Sequence, residues 1–150
     1  DPSLRLARRT VTRPSDPSEQ VETLSESAFQ AAVAENVFVW WWSANGLHYG
    51  IRHAEIQGDG VVLVNGSRAY WPEASQRMPS ALLIVLQVDP TVLADRLIHR
   101  GRESRAAIEA RLDRNAQLQS DALITDAWLV LDNTHALADV AKTLVEAIRC

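Results

Sequence analysis

The chain has 150 residues, 47% of them hydrophobic and 23% charged, with a formal net charge of −4. That size and composition suit one globular domain over residues 1–150, and a net negative charge removes the general electrostatic reason for a nucleic-acid partner. The single cysteine, Cys150, excludes an intramolecular disulfide, and the longest apolar runs, 37–42 and 81–86, fall far short of the roughly 20 residues that span a bilayer. A cytoplasmic protein with no membrane partner is the expectation; a homodimer stays open.

Thr10–Thr12 reads as a short extended segment, and residues 14–20, P-S-D-P-S-E-Q, as a turn-rich connection to a helix. Ser25 suits the N-cap of that helix, Glu26 its positive end, and Phe29, Ala32 and Val33 its apolar face. Val37–Trp42 has the β-branched and aromatic composition of a strand. The next segment, S-A-N-G-L-H-Y-G at 43–50, reads as a loop with two glycines, 52–57 as a short helix and 58–60 as a turn. Val61–Val64 is a compact strand ending on Asn65-Gly66-Ser67-Arg68.

A second continuous apolar run, Leu82–Val88, ends on Asp89-Pro90, a cap followed by proline at the first helical position. The helix that follows stops at Gly101, and Ser104 can cap another carrying Ile108 and Leu112 on one face. Six of the twenty residues from Asp95 to Arg114 are arginine. Trp128–Leu131 is the last strand, and the closing helix places Leu137, Val140, Leu144 and Ile148 on one stripe. Continuous apolar strands indicate burial on both faces, so the fold class is α/β with a mostly parallel sheet.

Ligands of open α/β sheets sit beyond the carboxyl ends of the strands, so polar residues there are the first candidates. Asn65, Ser67 and Arg68 follow one strand, and Asp132 and Asn133 follow another. N-G-S alone is compatible with a plain turn; Arg68 in the same turn strengthens the binding reading. Arg13 adds a cation to the rim, whereas Arg5, Arg8 and Arg9 read as solvated surface. Tyr49 or His48 could hydrogen-bond a phosphate, and His48 could equally pack against the body. Trp40–Trp42 read as core and sheet surface. The four histidines show no metal-ligand spacing, and no nucleophile–base pair declares itself. What remains is an arginine-rich phosphate site, with the forked donors that suit phosphate oxygens, and this favours phosphoryl transfer.

The segments T-V-T-R, S-E-Q-V-E-T-L-S-E-S-A-F, W-S-A-N-G-L-H-Y-G, V-L-V-N-G-S-R-A, R-L-I-H-R-G-R-E-S and I-E-A-R-L follow one another in order along a resemblance that spans nearly all of residues 8–148. In them the chain resembles the guanylate-kinase-like P-loop kinases, and among these the ribose 1,5-bisphosphate phosphokinases of phosphonate breakdown. The resemblance implies a three-layer α/β kinase with a helical lid at about 96–114. It implies that Arg13 and Tyr49 hold the acceptor's phosphate, and that lid residues Arg100 and Arg111 reach the transferring phosphoryl group. Arg96 would lie along the adenine of ATP, with Asp132 and Asn133 at its edge.

Asn65 stands where guanylate kinases have an aspartate near the acceptor, and Ser43 where they read guanine with a glutamate. Losing a buried carboxylate argues against GMP. Ser43, Asn65 and Ser67, with Arg68 on a phosphate, suit a sugar bisphosphate instead. The implied reaction is ATP-dependent phosphorylation of ribose 1,5-bisphosphate to 5-phosphoribosyl 1-diphosphate, with Mg2+ arriving on ATP. A guanylate kinase, or a non-catalytic module that binds a phosphorylated partner, would use the same arginines. The family's G-x-x-G-x-G-K-[ST/D] phosphate loop has no counterpart in these 150 residues, and the expectation is that the chain as given starts after it.

Overall fold

A computed structural model describes residues 4–14, 19–101, 104–119 and 124–149. The chain divides into two compact units, Asp1–Met78 and Pro79–Cys150. Among the described residues three of the five strand pairings are parallel and two antiparallel. This agrees with the expected α/β class with mostly parallel pairing. The burial on both faces expected of the apolar runs is not seen, however: Val61, Leu82, Leu86 and Val130 are exposed.

The first unit holds two sheets. β1 (Leu4–Leu6) pairs in parallel with β6 (Val61–Leu63). β2 (Arg9–Val11), β3 (Val21–Thr23), β4 (Phe38–Ala44) and β5 (Leu47–Arg52) form a sheet of order β3-β2-β5-β4. Here the structure corrects the loop expected at 43–50. Asn45 (φ 54°) and Gly46 (φ 73°) make a tight turn, so 47–52 returns as a strand antiparallel to β4. Asn-Gly is the strongest short-range hairpin signal, because a two-residue turn with both φ positive matches strand twist. His48 and Tyr49 therefore sit on a strand, and β4 becomes an edge.

Helix α1 (Glu26–Ala34) begins as read: the Ser25 hydroxyl accepts from the Ala28 amide. Its Phe29 is fully buried and stacks on Phe38 at 4.8 Å, with Leu24, Val33 and Trp41 packed around them. Gly50 lies beneath that ring, since a Cβ there would come within 2.6 Å of Phe38. A 3-10 turn (His53–Ile56) matches the short helix read at 52–57. A second 3-10 turn (Arg68–Tyr70), α2 (Trp71–Arg77) and strand β3 have no counterpart in the sequence reading.

The second unit pairs β7 (Ile84–Gln87) with β8 (Leu129–Asp132) in parallel, burying Val85 and Leu131. Asp89 caps α3 (Pro90–Arg100) by accepting from the Thr91 and Val92 amides. Gly101 closes that helix in the left-handed conformation, φ 64°, as expected of a helix-ending glycine. α4 (Arg105–Gln119) starts with the Ser104 hydroxyl accepting from the Ala107 amide, and α3 and α4 pack together. Residues 102 and 103 lie outside the described ones. Helix α5 (Leu137–Arg149) packs on β8. Its stripe is only partly right: Val140, Leu144 and Ile148 are half-buried, but Leu137 in the first turn is 79% exposed. No described helix is long and apolar enough to cross a membrane.

Candidate active site

Strand alternation gives the β3-β2-β5-β4 sheet two different faces. One face turns Trp42 and Tyr49, directly paired across the hairpin, toward each other; their rings stack at 5.6 Å and 11°. Tyr70 continues the stack on Trp42 at 5.8 Å. On neighbouring β2 the Arg9 guanidinium lies 5.6 Å from the centre of the Tyr49 ring. Arg13, just past β2, donates to the Glu19 carboxylate at 2.6 Å, and the same carboxylate oxygen lies 3.5 Å from Arg9.

Two guanidinium groups thus flank one carboxylate, and Tyr49 lies beside both guanidinium groups. The Glu19 hydrogen bond raises the Arg13 pKa above its usual value, with a smaller contribution from Tyr49. A phosphate offers the same kind of oxygens with more charge, so forked donors arranged this way are chemically suited to an anion.

A cleft of about 270 Å³ runs beside edge strand β4, lined by Trp41, Trp42, Ser43, Ser67, Tyr70 and Glu73 among others. Tyr70 is partly withdrawn from water, which pushes its hydroxyl pKa up. Ser43 is exposed on β4, and Ser67 immediately precedes the 3-10 turn. The structure therefore brings Arg13 together with Tyr49, and Ser43 together with Ser67. Asn65 is exposed in the loop before Ser67, and Arg68 is partly buried after it, with burial lowering its pKa. Neither lines the cleft.

The sequence reading missed Glu19, Trp42 and Tyr70, and it placed Arg9 on solvated surface. The Arg9 side chain is only 20% exposed, held over Tyr49 and against Glu19. The available signal was the period of two on β2. Val11 faces Tyr49 across the sheet, so Arg9 shares that face. Arg5 and Arg8 are also engaged: Arg5 donates to the Glu55 carbonyl at 2.7 Å, and the Arg8 amide to the Glu55 carboxylate at 2.9 Å.

In the second unit Arg96, Asp132 and Asn133 come together beyond the ends of β7 and β8. Arg96 donates to the Asn133 carbonyl at 2.7 Å and to the carbonyls of Thr134 and His135. Asp132 accepts from the Thr134 amide at 2.8 Å. The Thr134 hydroxyl and amide hold its pKa below the usual carboxylate range. The guanidinium plane is thereby fixed by carbonyls, with a face suited to a flat aromatic ring. Arg100 ends α3 and Arg111 lies midway along α4, both exposed. Among the described residues no group of three or more His, Cys, Asp or Glu could hold a metal ion.

No family model matches the chain. It is 42% identical over 149 residues to ribose 1,5-bisphosphate phosphokinase PhnN of Pseudomonas fluorescens (strain SBW25), covering 94% of this chain and 77% of that one. Against the PhnN of Azotobacter vinelandii it is also 42% identical over 149 residues, covering 97% and 80%. Among solved structures, guanylate kinase from Anaplasma phagocytophilum superposes with a TM-score of 0.72 over 98% of this chain and 75% of that one. At 15% identity, that likeness speaks to the fold alone. With this identity across more than three quarters of its relatives' length, the chain belongs to the ribose 1,5-bisphosphate phosphokinase family, on a guanylate kinase fold.

Proposed function

We propose that the protein transfers the γ-phosphoryl group of ATP to the 1-phosphate of ribose 1,5-bisphosphate, giving 5-phosphoribosyl 1-diphosphate and ADP. An oxygen of the 1-phosphate forms the new P–O bond as the bond between the γ-phosphorus and the ADP oxygen breaks. The attacking group is already an ionised phosphate, so no general base is needed, and catalysis reduces to positioning and charge neutralisation. The observation that carries this reading is the Arg9–Arg13–Tyr49 seat, where a carboxylate already occupies the place suited to an acceptor phosphate.

In this reading Arg13 and Tyr49 hold one acceptor phosphate, with Arg9 added to the pair. Arg68 and Asn65 approach from the loop after β6, and Ser43 and Ser67 meet the sugar hydroxyls. The adenine of ATP fits the carbonyl-fixed plane of Arg96, with Asp132 and Asn133 at its edge. Mg2+ would be carried on the nucleotide phosphates, which it would help neutralise. Residues 96–114 act as a lid in a single kinase domain, bringing Arg100 and Arg111 to the γ-phosphoryl group and excluding water.

Initial rates of ADP formation by the full-length protein, with ribose 1,5-bisphosphate and GMP compared at equal concentration, test the reading. A rate at least about tenfold higher with the sugar bisphosphate is expected, because Ser43 replaces the carboxylate that would pair with guanine. Equal or faster use of GMP would reassign the protein as a guanylate kinase.

A further inference from the structure

Beside the second face of the sheet, Glu26 of α1, His48 of β5 and Ser43 of β4 form a chain of side chains. Glu26 Oε1 lies 2.8 Å from His48 Nε2, and His48 Nδ1 lies 2.7 Å from Ser43 Oγ. Ser43 and His48 are direct partners across the β4–β5 hairpin, so register alone fixes their meeting. Residue His48 is fixed through both its ring and its backbone. Its ring stacks on the buried Phe29 at 5.5 Å, its amide donates to the Thr12 hydroxyl at 2.9 Å, and its carbonyl accepts from the Thr12 amide at 3.1 Å. Glu26 is steadied in turn by Gln30, whose side-chain amide donates to the same Oε1 at 3.1 Å.

Hydrogen-bond polarity follows from this order. An ionised carboxylate only accepts, so in the neutral form of the ring Nε2 carries the proton and Nδ1 keeps a lone pair. That lone pair accepts a hydrogen bond from the Ser43 hydroxyl. Ser43, which lines the cleft, then has only lone pairs left for a ligand.

We infer that Glu26 and His48 are positioning residues that make Ser43 an obligate acceptor, selecting an acceptor substrate that presents a hydroxyl there rather than a phosphate or carbonyl oxygen. The inference rests on the sugar bisphosphate reading and adds to it the group that Ser43 recognises, a ribose 2- or 3-hydroxyl. Without the relay the same serine could rotate and donate, and the discrimination would be lost.

Two measurements on the full-length protein test it. Nitrogen-15 NMR of the His48 ring at neutral pH is expected to show a proton on Nε2 alone, with Nδ1 shifted by Ser43→Ala. A proton on Nδ1, or on both nitrogens, would overturn the relay whatever the substrate is. In kinetics, deleting the recognised hydroxyl from ribose 1,5-bisphosphate (the 2-deoxy and 3-deoxy analogues) is expected to lower wild-type kcat/KM by about tenfold for one of the two.

That penalty is expected to shrink to about twofold or less in Ser43→Ala, and also in His48→Phe, which keeps a ring on Phe29. A penalty that stays at wild-type size in both variants would overturn the inference. So would two deoxy analogues that wild type uses as well as the parent sugar. Failure of wild type to turn over ribose 1,5-bisphosphate at all would instead sink the functional reading, and the NMR result would still decide the relay.

Discussion

Arg13 and Glu19 form an ion pair whose members have opposite consequences for substrate. In the proposed reading Arg13 holds an acceptor phosphate, so its loss should weaken acceptor binding. Arg13→Ala is expected to raise the acceptor KM about 10- to 100-fold, the scale of a lost charge-assisted hydrogen bond, with a smaller change in kcat. Glu19 competes for the same guanidinium groups, 2.6 Å from Arg13 and 3.5 Å from Arg9. Glu19→Gln removes the competing charge and is expected to lower the acceptor KM about two- to fivefold, since partly exposed pairs are modest in strength. Steady-state kinetics with acceptor varied at saturating ATP reads both effects. An unchanged KM in Arg13→Ala would remove that residue from the seat.

The β4–β5 hairpin is the element on which the site depends, and its packing leaves little slack. Gly50→Ala would drive a methyl group to 2.6 Å from the buried Phe38 ring, so the ring or the strand must move. Overpacking of this kind costs about 1–3 kcal/mol, and urea unfolding should show a lower midpoint with an unchanged slope. On the same face Arg52 donates to Glu22 at 2.6 and 2.9 Å, and the Thr10 hydroxyl donates at 2.6 Å. Arg52 first, then Thr10, lower the Glu22 pKa from its usual value.

A carboxylate depressed in the folded state contributes stability above its unfolded pKa of about 4.3. That contribution disappears as pH falls through the lower, folded value. Thermal melts are therefore expected to show stability falling below about pH 4.5 in wild type. The fall should be shallower in Glu22→Gln; an identical acid profile in the variant would dissociate the pair from acid sensitivity.

At the scale of the whole molecule, the proposed reaction requires Arg100 and Arg111 to act in the transition state. Arg111→Ala is expected to lower kcat by about 10²–10³ with little change in acceptor KM, the size of one lost charge partner. A variant retaining nearly full kcat would remove Arg111 from that role. How much of the molecule could be read in advance follows from how local each signal is. The caps at Ser25, Asp89, Gly101 and Ser104 were legible because a cap is a bond between near neighbours.

Strand β5 was not legible, because glycine, histidine and tyrosine in sequence look like a loop until the Asn45-Gly46 turn sets them against β4. Arg13 and Tyr49 stood out as motif residues. Arg9, Trp42 and Tyr70 did not, because a stack across strands and loops depends on register rather than spacing. For the same reason the pairing of His48 with Ser43 emerges only from the folded hairpin.

Phosphorus-31 NMR of the full-length protein with ribose 1,5-bisphosphate, ATP and Mg2+ tests the proposed phosphoryl transfer at the reacting atoms. Loss of the 1-phosphate resonance, with a coupled pair from a new 1-diphosphate growing in step with ADP, is the predicted result. An unchanged 1-phosphate resonance, under conditions where GMP is converted to GDP or where ATP is not consumed at all, would contradict it.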